Sequence, residues 1–357
     1  MGSRPAAAGA SPSPADRART VGEIGERRLL ALLTSAASAP DSAVDATADS
    51  GDIVIGSGDD AAVIDTGGPA VVSTDTAVEN RHFRFEWSRP FDVGARAAVQ
   101  SAADIAAMGG RVTGVVVSLA CPPSTTVGTL VDLNAGIVDA AHRLGARVLG
   151  GDLVAASEVV IGVTSIGVLG GLAPIVLSGA SDGDVLALSG PLGACAAGLA
   201  VLADADASRS RERMDRYDDL VAAFVLPWPD HTQGVVAARH GAHAMTDVSD
   251  GLIEELITMS AASGTRLEVD SAAIPRWPQL SSAAAELGVD EREWVLAGGE
   301  DHELLAAFAP DDVPPGWTVI GRVVGGRDDA PGTAVGVLID GAPADRVHGW
   351  QSFGETT

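Results

Sequence analysis

Short apolar segments rich in Val and Ile alternate with longer Ala-rich segments in both halves of this 357-residue chain. The short segments have the length and composition of strands, and the longer ones have the spacing of amphipathic helices. Because helices and strands are mixed in each half, the pattern predicts two α+β domains of ordinary size. We place their junction near residues 175–183, where glycines and aspartates interrupt the apolar pattern.

Local signals predict the individual elements. Thr20 and Glu23 form a capping-box pattern before a helix over about residues 21–35. Strands are predicted near residues 53–55, 61–64, 70–73, 112–120, 146–149, 159–168, 185–188, 266–269, 303–308, 317–321 and 335–339. Further helices are predicted near residues 92–108, 126–144, 193–203, 231–240 and 251–263, and the charged segment 209–219 is expected on the surface. Residues 1–19, rich in Ala, Ser, Pro and Arg, are predicted to be a disordered tail.

Charge and composition disfavour several functional classes. The 23 Lys and Arg against 48 Asp and Glu give a net charge of −25, which opposes binding to nucleic acid or to an anionic membrane. The uncharged stretch between Glu158 and Asp182 contains five glycines and a proline, so we interpret it as two buried strands joined by a turn rather than as a membrane span. Two cysteines without CxxC spacing predict a reducing, cytoplasmic compartment.

The sequence contains no lysine. A Walker-type P-loop, a lysine Schiff base and the β3 lysine of protein kinases are therefore excluded. All the fixed positive charges on side chains belong to arginine. If the chain acts on phosphate groups, arginine or metal ions must neutralise them.

Aspartates recur at glycine turns and at the predicted ends of strands, where the backbone aims the side chain. These positions are Asp59 and Asp60, Asp75 after Ser73 and Thr74, Asp152 after Gly150 and Gly151, and Asp247 and Asp250 before a predicted helix. Asp104 is different because it lies within a predicted apolar helix. Carboxylate and hydroxyl oxygens are the hard ligands that Mg²⁺ takes, and clustered carboxylates need cations. The pattern therefore predicts bound metal.

Each of these positions also has a purely structural explanation. Paired aspartates suit an Asx turn at residues 59–60, and carboxylates near residues 75, 247 and 250 suit caps of turns and helices. Asp104 is harder to explain in this way, because a carboxylate on a buried helix needs partners. His82 suits a surface histidine, Gly298–Asp301 is a further acidic glycine turn, and Trp350 and Phe353 suit either a core edge or stacking on a flat ligand ring.

In their order along the chain these clusters resemble the thiamine-monophosphate kinases, whose superfamily includes aminoimidazole ribonucleotide synthetase and selenophosphate synthetase. The motifs that carry the resemblance, from about Thr20 to Phe353, are Gly58–Asp60, Ser73–Thr76, Asn80–His82, Asp104–Gly109, Gly150–Asp152, Asp247–Leu252 and Gly298–Asp301. The resemblance implies a two-domain aminoimidazole ribonucleotide synthetase-like fold of the α+β class. Its N-terminal mixed sheet, in residues 20–175, would form a dimer interface, and a C-terminal α/β sandwich, in residues 176–357, would complete the nucleotide and substrate cleft.

The resemblance also implies an activity: transfer of the γ-phosphoryl group of ATP to thiamine monophosphate, by a homodimer with several Mg²⁺ ions and without a covalent intermediate. The matching metal ligands are Asp60, Ser73, Thr74, Asp75, Asp104, Asp152, Asp247 and Asp250. The matching ATP contacts are Gly151, Asp152 and Ser249, and the matching contacts of the thiamine phosphate are His82, Glu300 and Trp350. Where the family commonly has Arg-Ser-Gly-Ala, this chain has Leu177–Ala180, so one cationic contact to the ATP phosphates is replaced.

Three other functions share parts of this pattern. A selenophosphate synthetase would need a reactive cysteine or selenocysteine and a lysine near the N-terminus, and this chain has no cysteine before Cys121. Aminoimidazole ribonucleotide synthetase would carry a His-Ser-Asn-Gly type segment where Asp247–Gly251 stands. A non-catalytic, Mg-nucleotide-binding regulatory protein would keep the acidic turns without turnover, and Leu177 is the feature that favours it.

Overall fold

The computed structural model describes residues 12–37, 52–56, 61–204, 210–325, 335–344 and 349 of the chain. These residues divide into two compact units. Unit 1 comprises the described residues up to Ala102 together with Val112–Val168, and unit 2 comprises Ala103–Arg111 and the described residues from Leu169 onward. In the part of the chain that is described, no helix combines the length and the apolar character needed to cross a bilayer.

Unit 1 contains a mixed sheet with helices against one face. Its helices are α1 (Pro14–Ala18), α2 (Val21–Ile24), α3 (Glu26–Ala37), α4 (Pro90–Ala107), whose last turn belongs to unit 2, and α5 (Val127–Arg143). Its strands are β1 (Asp52–Ile55), β2 (Val63–Asp65), β3 (Ala70–Val78), β4 (Arg111–Cys121), β5 (Arg147–Ala155) and β6 (Val160–Val168). Strands β1 and β2 pair by themselves, and the others form a sheet in the order β3-β6-β4-β5, which we call the N-sheet. Its β3–β6 pair is antiparallel and its β4–β5 pair is parallel.

The two faces of the N-sheet differ in burial. On one face, Ser101 of α4 donates a hydrogen bond to the carbonyl of Val163 at 3.0 Å, and Val163 is buried. On the other face, Val72, Val116 and Val154 are 61%, 36% and 50% exposed. This second face, which we call the open face, therefore presents exposed apolar side chains.

The N-terminal segment departs from the sequence prediction in two places. The five-residue helix α1, capped by Ser13, lies in the segment predicted as a disordered tail, and its Arg17 pairs with Asp132 of α5. The helix predicted over residues 21–35 is divided at Gly25, whose φ of 76° lies in the left-handed region. Because that conformation is incompatible with a continuous helix, α2 ends there and α3 begins at Glu26.

Unit 2 is built on a larger sheet that is covered on both faces. Its strands are β7 (Val185–Leu188), β8 (Ala244–Asp247), β9 (Arg266–Val269), β10 (Leu304–Phe308), β11 (Thr318–Val324), β12 (Gly336–Ile339) and β13 (Ala342–Pro343). Its helices are α6 (Ala194–Ala203), α7 (Ser210–Arg216), α8 (Asp218–Val225), α9 (Thr232–Arg239), α10 (Leu252–Ser263), α11 (Leu280–Leu287) and α12 (Glu291–Leu296). Among the described residues the strand order is β13-β12-β9-β11-β7-β10-β8, and β12–β9 is a parallel pair.

Alternate residues of β10 enter two separate cores. Leu305 and Ala307 pack in one buried cluster with Leu188 and Leu256, whereas Leu304 and Phe308 pack in the other. Since side chains alternate between the faces of a strand, the central strands of this sheet are buried on both sides. Unit 2 is therefore an α/β sandwich, as predicted.

Several elements of unit 2 were not predicted from the sequence. These are β8, β13, α7, α8, α11 and α12. The segment 209–219, expected on the surface, includes buried Arg213 and Tyr217, which both donate hydrogen bonds to Glu286 of α11 at 3.0 Å. The second strand expected before Asp182 is replaced by irregular backbone with a single bridge from Val176 to Ala244.

Candidate functional site

The predicted site residues are distributed over both units. In unit 1, Ser73, Thr74 and Asp75 lie on β3, His82 lies in the turn that follows, and Gly151 and Asp152 lie on β5. In unit 2, Asp104 lies near the end of α4, Asp247 ends β8, Ser249 and Asp250 follow it, and Glu300 lies in the loop before β10. Asp60 and Trp350 lie outside the described residues.

The Ser73–Asp75 segment lies in the middle of β3, not at a strand end as predicted. Because side chains alternate along a strand, Ser73 and Asp75 share the half-buried face, and Thr74 points to the open face. The Thr74 hydroxyl lies 3.0 Å from that of Thr164 on β6. The three predicted oxygen ligands therefore do not all face one side of the sheet.

The Gly150–Asp152 segment likewise lies within β5, and Gly151 allows the close approach of β4. A Cβ atom at Gly151 would lie 2.1 Å from the Val117 carbonyl oxygen, so only glycine fits there. The face of Asp152 follows from its neighbours across the sheet. Asp152 pairs with Ser118 of β4, and the Cβ of Ser118 lies 3.5 Å from where a Cβ at Gly162 of β6 would stand. Gly162 in turn pairs with Thr76 of β3, which shares the open face with Thr74. Asp152 is therefore on the open face, opposite to Asp75.

A cavity of about 650 Å³ adjoins Gly151 and Asp152 within unit 1. Apolar side chains line much of it, including Leu33 of α3 and Ile137 of α5. Concave, largely apolar spaces with a few polar groups are the usual form of small-molecule sites. Two of the three residues predicted to contact ATP, Gly151 and Asp152, thus line a cavity with the usual character of a small-molecule site.

His82 is held in a defined orientation by the turn after β3. Its Nδ1 accepts a hydrogen bond from the Val78 backbone N–H at 3.1 Å, and the backbone N–H of His82 donates to the Val78 carbonyl at 2.9 Å. Asn80 in this turn has a φ of 64°, a conformation that asparagine tolerates better than most residues. Since Nδ1 is an acceptor, a neutral His82 carries its proton on Nε2.

Unit 2 gathers four carboxylates, which we call the carboxylate cluster: Asp247, Asp250, Glu255 and Glu300. Asp247 was expected to open a helix, but it ends β8, and α10 begins only at Leu252. The cap of α10 is Gly251, with a φ of 112° and no side-chain hydrogen bond, so neither Asp247 nor Asp250 serves as the N-cap. Glu255, in the first turn of α10, accepts hydrogen bonds from Thr246 Oγ1 and Ser249 Oγ at 3.3 Å each.

Burial and mutual repulsion raise pKa values within the carboxylate cluster. Burial, with the nearby charge of Asp247, raises the pKa of Glu255 from 4.5 to about 7. Burial also raises the pKa of Asp250, and the charges of Glu300 and Asp247 add to the effect. Both shifts mean that negative charge is costly here in the absence of a cation.

His302 lies between two members of this cluster. Its Nδ1 is 2.8 Å from Asp247 Oδ2, and its Nε2 is 3.8 Å from Glu300 Oε2. Burial opposes the charged form, yet the hydrogen bond to Asp247 and the negative charges of Asp247 and Glu300 together raise the pKa of His302 to about 10. The imidazolium therefore neutralises part of the charge of the cluster.

Asp301 and Glu303, on either side of His302, face away from it and fix the loop. Asp301 accepts hydrogen bonds from the backbone N–H groups of Gly193 and Cys195, at 2.6 and 3.0 Å, and so caps α6. Glu303 accepts a hydrogen bond from Ser189 Oγ at 2.5 Å. Burial raises the pKa of Asp301 to about 6 and that of Glu303 to about 7.

The remaining predicted positions in unit 2 are Asp104 and Leu177. Asp104 is half-buried on α4. Leu177, where the family commonly has arginine, packs partly buried against the larger core of unit 2, and its carbonyl accepts a hydrogen bond from Ser263 Oγ. At position 177 the chain therefore has a packing residue in place of a charge.

The donor set of unit 2 suits Mg²⁺ chemically. No group of three or more His, Cys, Asp or Glu side chains in the described ranges is arranged to hold a metal ion by itself. Mg²⁺, however, is usually bound through one or two carboxylates together with substrate phosphates and water. The carboxylates of Asp247 and Asp250, with the raised pKa of Asp250, provide hard oxygen donors at a place where a cation would relieve repulsion.

Sequence patterns alone missed Glu255 and His302. The only signal for Glu255 was its place five residues after Asp250, in the first turn of a predicted helix. The signal for His302 was its position directly after Gly298–Asp301, but its contact with Asp247 depends on the pairing of β8 with β10, which brings Leu304 opposite Asp247. Neither pairing nor contact can be deduced from spacing.

Comparison with known families identifies two matching domain models. Residues 58–169 match the AIR synthase related protein, N-terminal domain, and residues 181–332 match the AIR synthase related protein, C-terminal domain.

Similar proteins and structures cover most of the chain. The thiamine-monophosphate kinase of Mycobacterium tuberculosis (strain CDC 1551 / Oshkosh) is 44% identical over 305 residues, which are 85% of this chain and 87% of that protein. That of Corynebacterium glutamicum is 37% identical over 338 residues, 94% of this chain and 95% of the relative. The solved structure of AaThiL complexed with AMPPCP and TMP matches with a TM-score of 0.68 and 26% identity, over 80% of this chain and 87% of that one.

The raised pKa of Glu303 predicts a pH-dependent stability. A carboxyl group with a pKa near 4.5 when unfolded and about 7 when folded stabilises the fold fully below pH 4.5, and this contribution is lost as the pH rises through 7. We expect Glu303→Gln to lose less free energy of unfolding than the wild type between pH 5 and pH 8, by about 1–3 kcal/mol. Urea unfolding of the metal-free protein at the two pH values measures the difference.

The matched control is Glu293→Gln, which changes an exposed glutamate of α12 in the same way. It should follow the wild-type pH dependence. If the free energy of unfolding changed equally between pH 5 and pH 8 for Glu303→Gln and the wild type, this would contradict the raised pKa of Glu303.

Proposed function

Because the chain belongs to the thiamine-monophosphate kinase family of AIR synthase related proteins, we propose that it transfers the γ-phosphoryl group of ATP to thiamine monophosphate, forming thiamine diphosphate and ADP. The observation that carries this function is the 44% identity to the Mycobacterium tuberculosis kinase over 85% of the chain. The match to AaThiL complexed with AMPPCP and TMP agrees with it. The two-domain α+β fold is that of the family.

The reaction makes few demands on covalent chemistry by the protein. An oxygen of the acceptor phosphate, already ionised at neutral pH, forms a bond to the γ-phosphorus while the bond to the β–γ bridging oxygen breaks. The site must hold the two oxygens in line and neutralise the charge on the transferred group. We therefore assign no nucleophile and no strong general base.

Positive charge at the phosphates must come from arginine or from metal ions, since the chain has no lysine. Bound Mg²⁺ supplies charge neutralisation at the phosphates. The carboxylates of Asp247 and Asp250 would hold it in unit 2, with Ser249 at the nucleotide. Asp104 is assigned to the metal ions as well, and Glu300 to the thiamine phosphate.

In unit 1, Asp75, Ser73 and Thr74 are assigned to the metal ions, Gly151 and Asp152 to ATP, and His82 to the thiamine phosphate. Asp152 is also assigned as a metal ligand. The side chains of Thr74 and Asp152 lie on the open face of the N-sheet, and those of Ser73 and Asp75 lie on the opposite face. The same proposal includes Asp60 as a metal ligand and Trp350 as a substrate contact.

A homodimer is part of the proposal and would cover the open face. Val72, Val116 and Val154 expose an apolar surface there, and apolar patches of this kind commonly mark protein interfaces. We also propose a cytoplasmic location, because both cysteines are free and buried, which suits a reducing compartment.

An acceptor-dependent assay tests the activity. We expect ADP release in the presence of ATP, Mg²⁺ and thiamine monophosphate, and much slower release with thiamine or without an acceptor. Excess EDTA should abolish turnover. Binding of ATP and Mg²⁺ by calorimetry without any ADP formed on addition of thiamine monophosphate would contradict a kinase and indicate a binding protein.

Removing one charge from an assigned metal ligand should lower turnover without unfolding the protein. We expect Asp75→Asn and Asp104→Asn each to lower kcat by about 10²–10³-fold, because electrostatic stabilisation of the transition state is lost. Asp139→Asn, at an exposed position on α5, is the matched control. Near-normal kcat for Asp75→Asn or Asp104→Asn at saturating Mg²⁺ would contradict that residue's assignment.

The proposed dimer predicts a change of mass on substitution. Val72→Asp should yield monomers in size-exclusion chromatography with light scattering, because a charge on the open face opposes its burial. Val54→Asp, at a position on β1 that is 63% exposed against 61% for Val72, should leave the mass unchanged. A monomeric wild type, or a dimeric Val72→Asp variant, would contradict this interface.

A further inference from the structure

The loop of residues 298–303 brings a buried histidine between two carboxylates. The N–H groups of Glu300 and His302 donate to the carbonyls of Ser249 and Val248, at 2.7 and 2.9 Å, and the Val248 N–H donates to the Glu303 carbonyl at 2.8 Å. These bonds extend the β8–β10 pairing beyond the ends of both strands. They hold His302 beside Asp247.

The backbone of this loop is strained and held in place from several sides. Glu300 and His302 have φ values of 71° and 54°, in the left-handed region that costs conformational free energy for residues other than glycine. Asp301 between them is anchored at the N-terminus of α6, and the Cys195 thiol donates to the Glu300 carbonyl at 3.1 Å. Such strain persists only where the surroundings determine the conformation, so the position of the imidazole is well defined.

The imidazole is hydrogen-bonded to one carboxylate through Nδ1 and lies at ion-pair distance from a second carboxylate through Nε2. Nδ1 lies 2.8 Å from Asp247 Oδ2, and an ionised carboxylate accepts only, so Nδ1 carries a proton. Nε2 lies 3.8 Å from Glu300 Oε2 and is buried without a hydrogen-bond partner among the described residues. A side chain that merely filled space would not need two nitrogens between two acids.

We propose that His302 is a positioning residue of the kinase site: Nδ1 holds the Asp247 carboxylate in place, and Nε2 orients the Glu300 carboxylate. The proposal rests on the function proposed above, since it takes Asp247 as a metal ligand and Glu300 as a contact of the thiamine phosphate. One ring thereby fixes the relative placement of the metal-binding and the substrate-binding carboxylate. Hydrogen bonds to a ligating carboxylate orient it and tune metal affinity.

Three substitutions separate the roles of the two nitrogens. The amide of His302→Asn can occupy the place of Nδ1 and keep the bond to Asp247. The longer His302→Gln can reach the place of Nε2 toward Glu300 but loses the donor to Asp247. His302→Leu loses both. His243→Asn is the matched control, because His243 is a second histidine of unit 2 whose Nδ1 contacts a carboxylate, Asp184, at 2.9 Å.

The first measurement is binding of Mn²⁺ with AMPPCP, followed by electron paramagnetic resonance. We expect His302→Gln and His302→Leu to weaken Mn²⁺ binding about 10–100-fold, while His302→Asn and His243→Asn stay close to the wild type. The second measurement is the KM for thiamine monophosphate, which should rise for His302→Asn and His302→Leu and change less for His302→Gln. Thermal unfolding of each variant is recorded alongside.

A structural role alone would give a different pattern. Mn²⁺ affinity and KM would then change together, in proportion to lost stability and regardless of which nitrogen was retained, and this result would overturn the proposal. Wild-type affinity for Mn²⁺ in all three variants would overturn it as well. If the wild type releases no ADP with thiamine monophosphate, the proposed function fails, whereas the Mn²⁺ titration still decides whether Nδ1 positions Asp247.

Discussion

Repulsion between carboxylates is the physical constraint on which the arrangement of unit 2 depends. Asp247, Asp250, Glu255 and Glu300 lie close enough to influence one another, and burial strengthens the effect. His302 supplies one compensating charge. The remaining negative charge must be neutralised by protons or by a bound cation. The repulsion within the cluster therefore favours the binding of a metal ion together with a phosphorylated substrate.

The fold maintains this cluster through backbone pairing and one remote helix cap. Strands β8 and β10 place Asp247 opposite Leu304, and the hydrogen bonds beyond their ends carry the 298–303 loop to the carboxylates. Asp301 ties the same loop to the N-terminus of α6. The two neighbouring acidic residues of this loop therefore have different roles: Glu300 faces the carboxylate cluster, and Asp301 caps α6.

In unit 1, sequence patterns predicted the positions of the strands but not their lengths. Apolar β-branched runs predicted its strands, because those residues favour a pleated, buried surface, but they understated the lengths of β3 and β5. The polar residues of Ser73–Asp75 and Gly150–Asp152 continue these strands instead of ending them. Alternation then sends neighbouring candidate ligands to opposite faces, and only the register of the sheet shows that Asp75 and Asp152 are on different sides.

The sequence by itself determined the α+β class, the order of most elements, the exclusion of lysine chemistry and the family, because these depend on local periodicity, composition and ordered motifs. The tertiary structure alone decided that Asp247 meets His302, that Asp301 caps α6 and that Arg213 and Tyr217 are buried against Glu286. These contacts join residues 55 to 108 positions apart in the chain. They depend on strand register and helix packing, which no local pattern specifies.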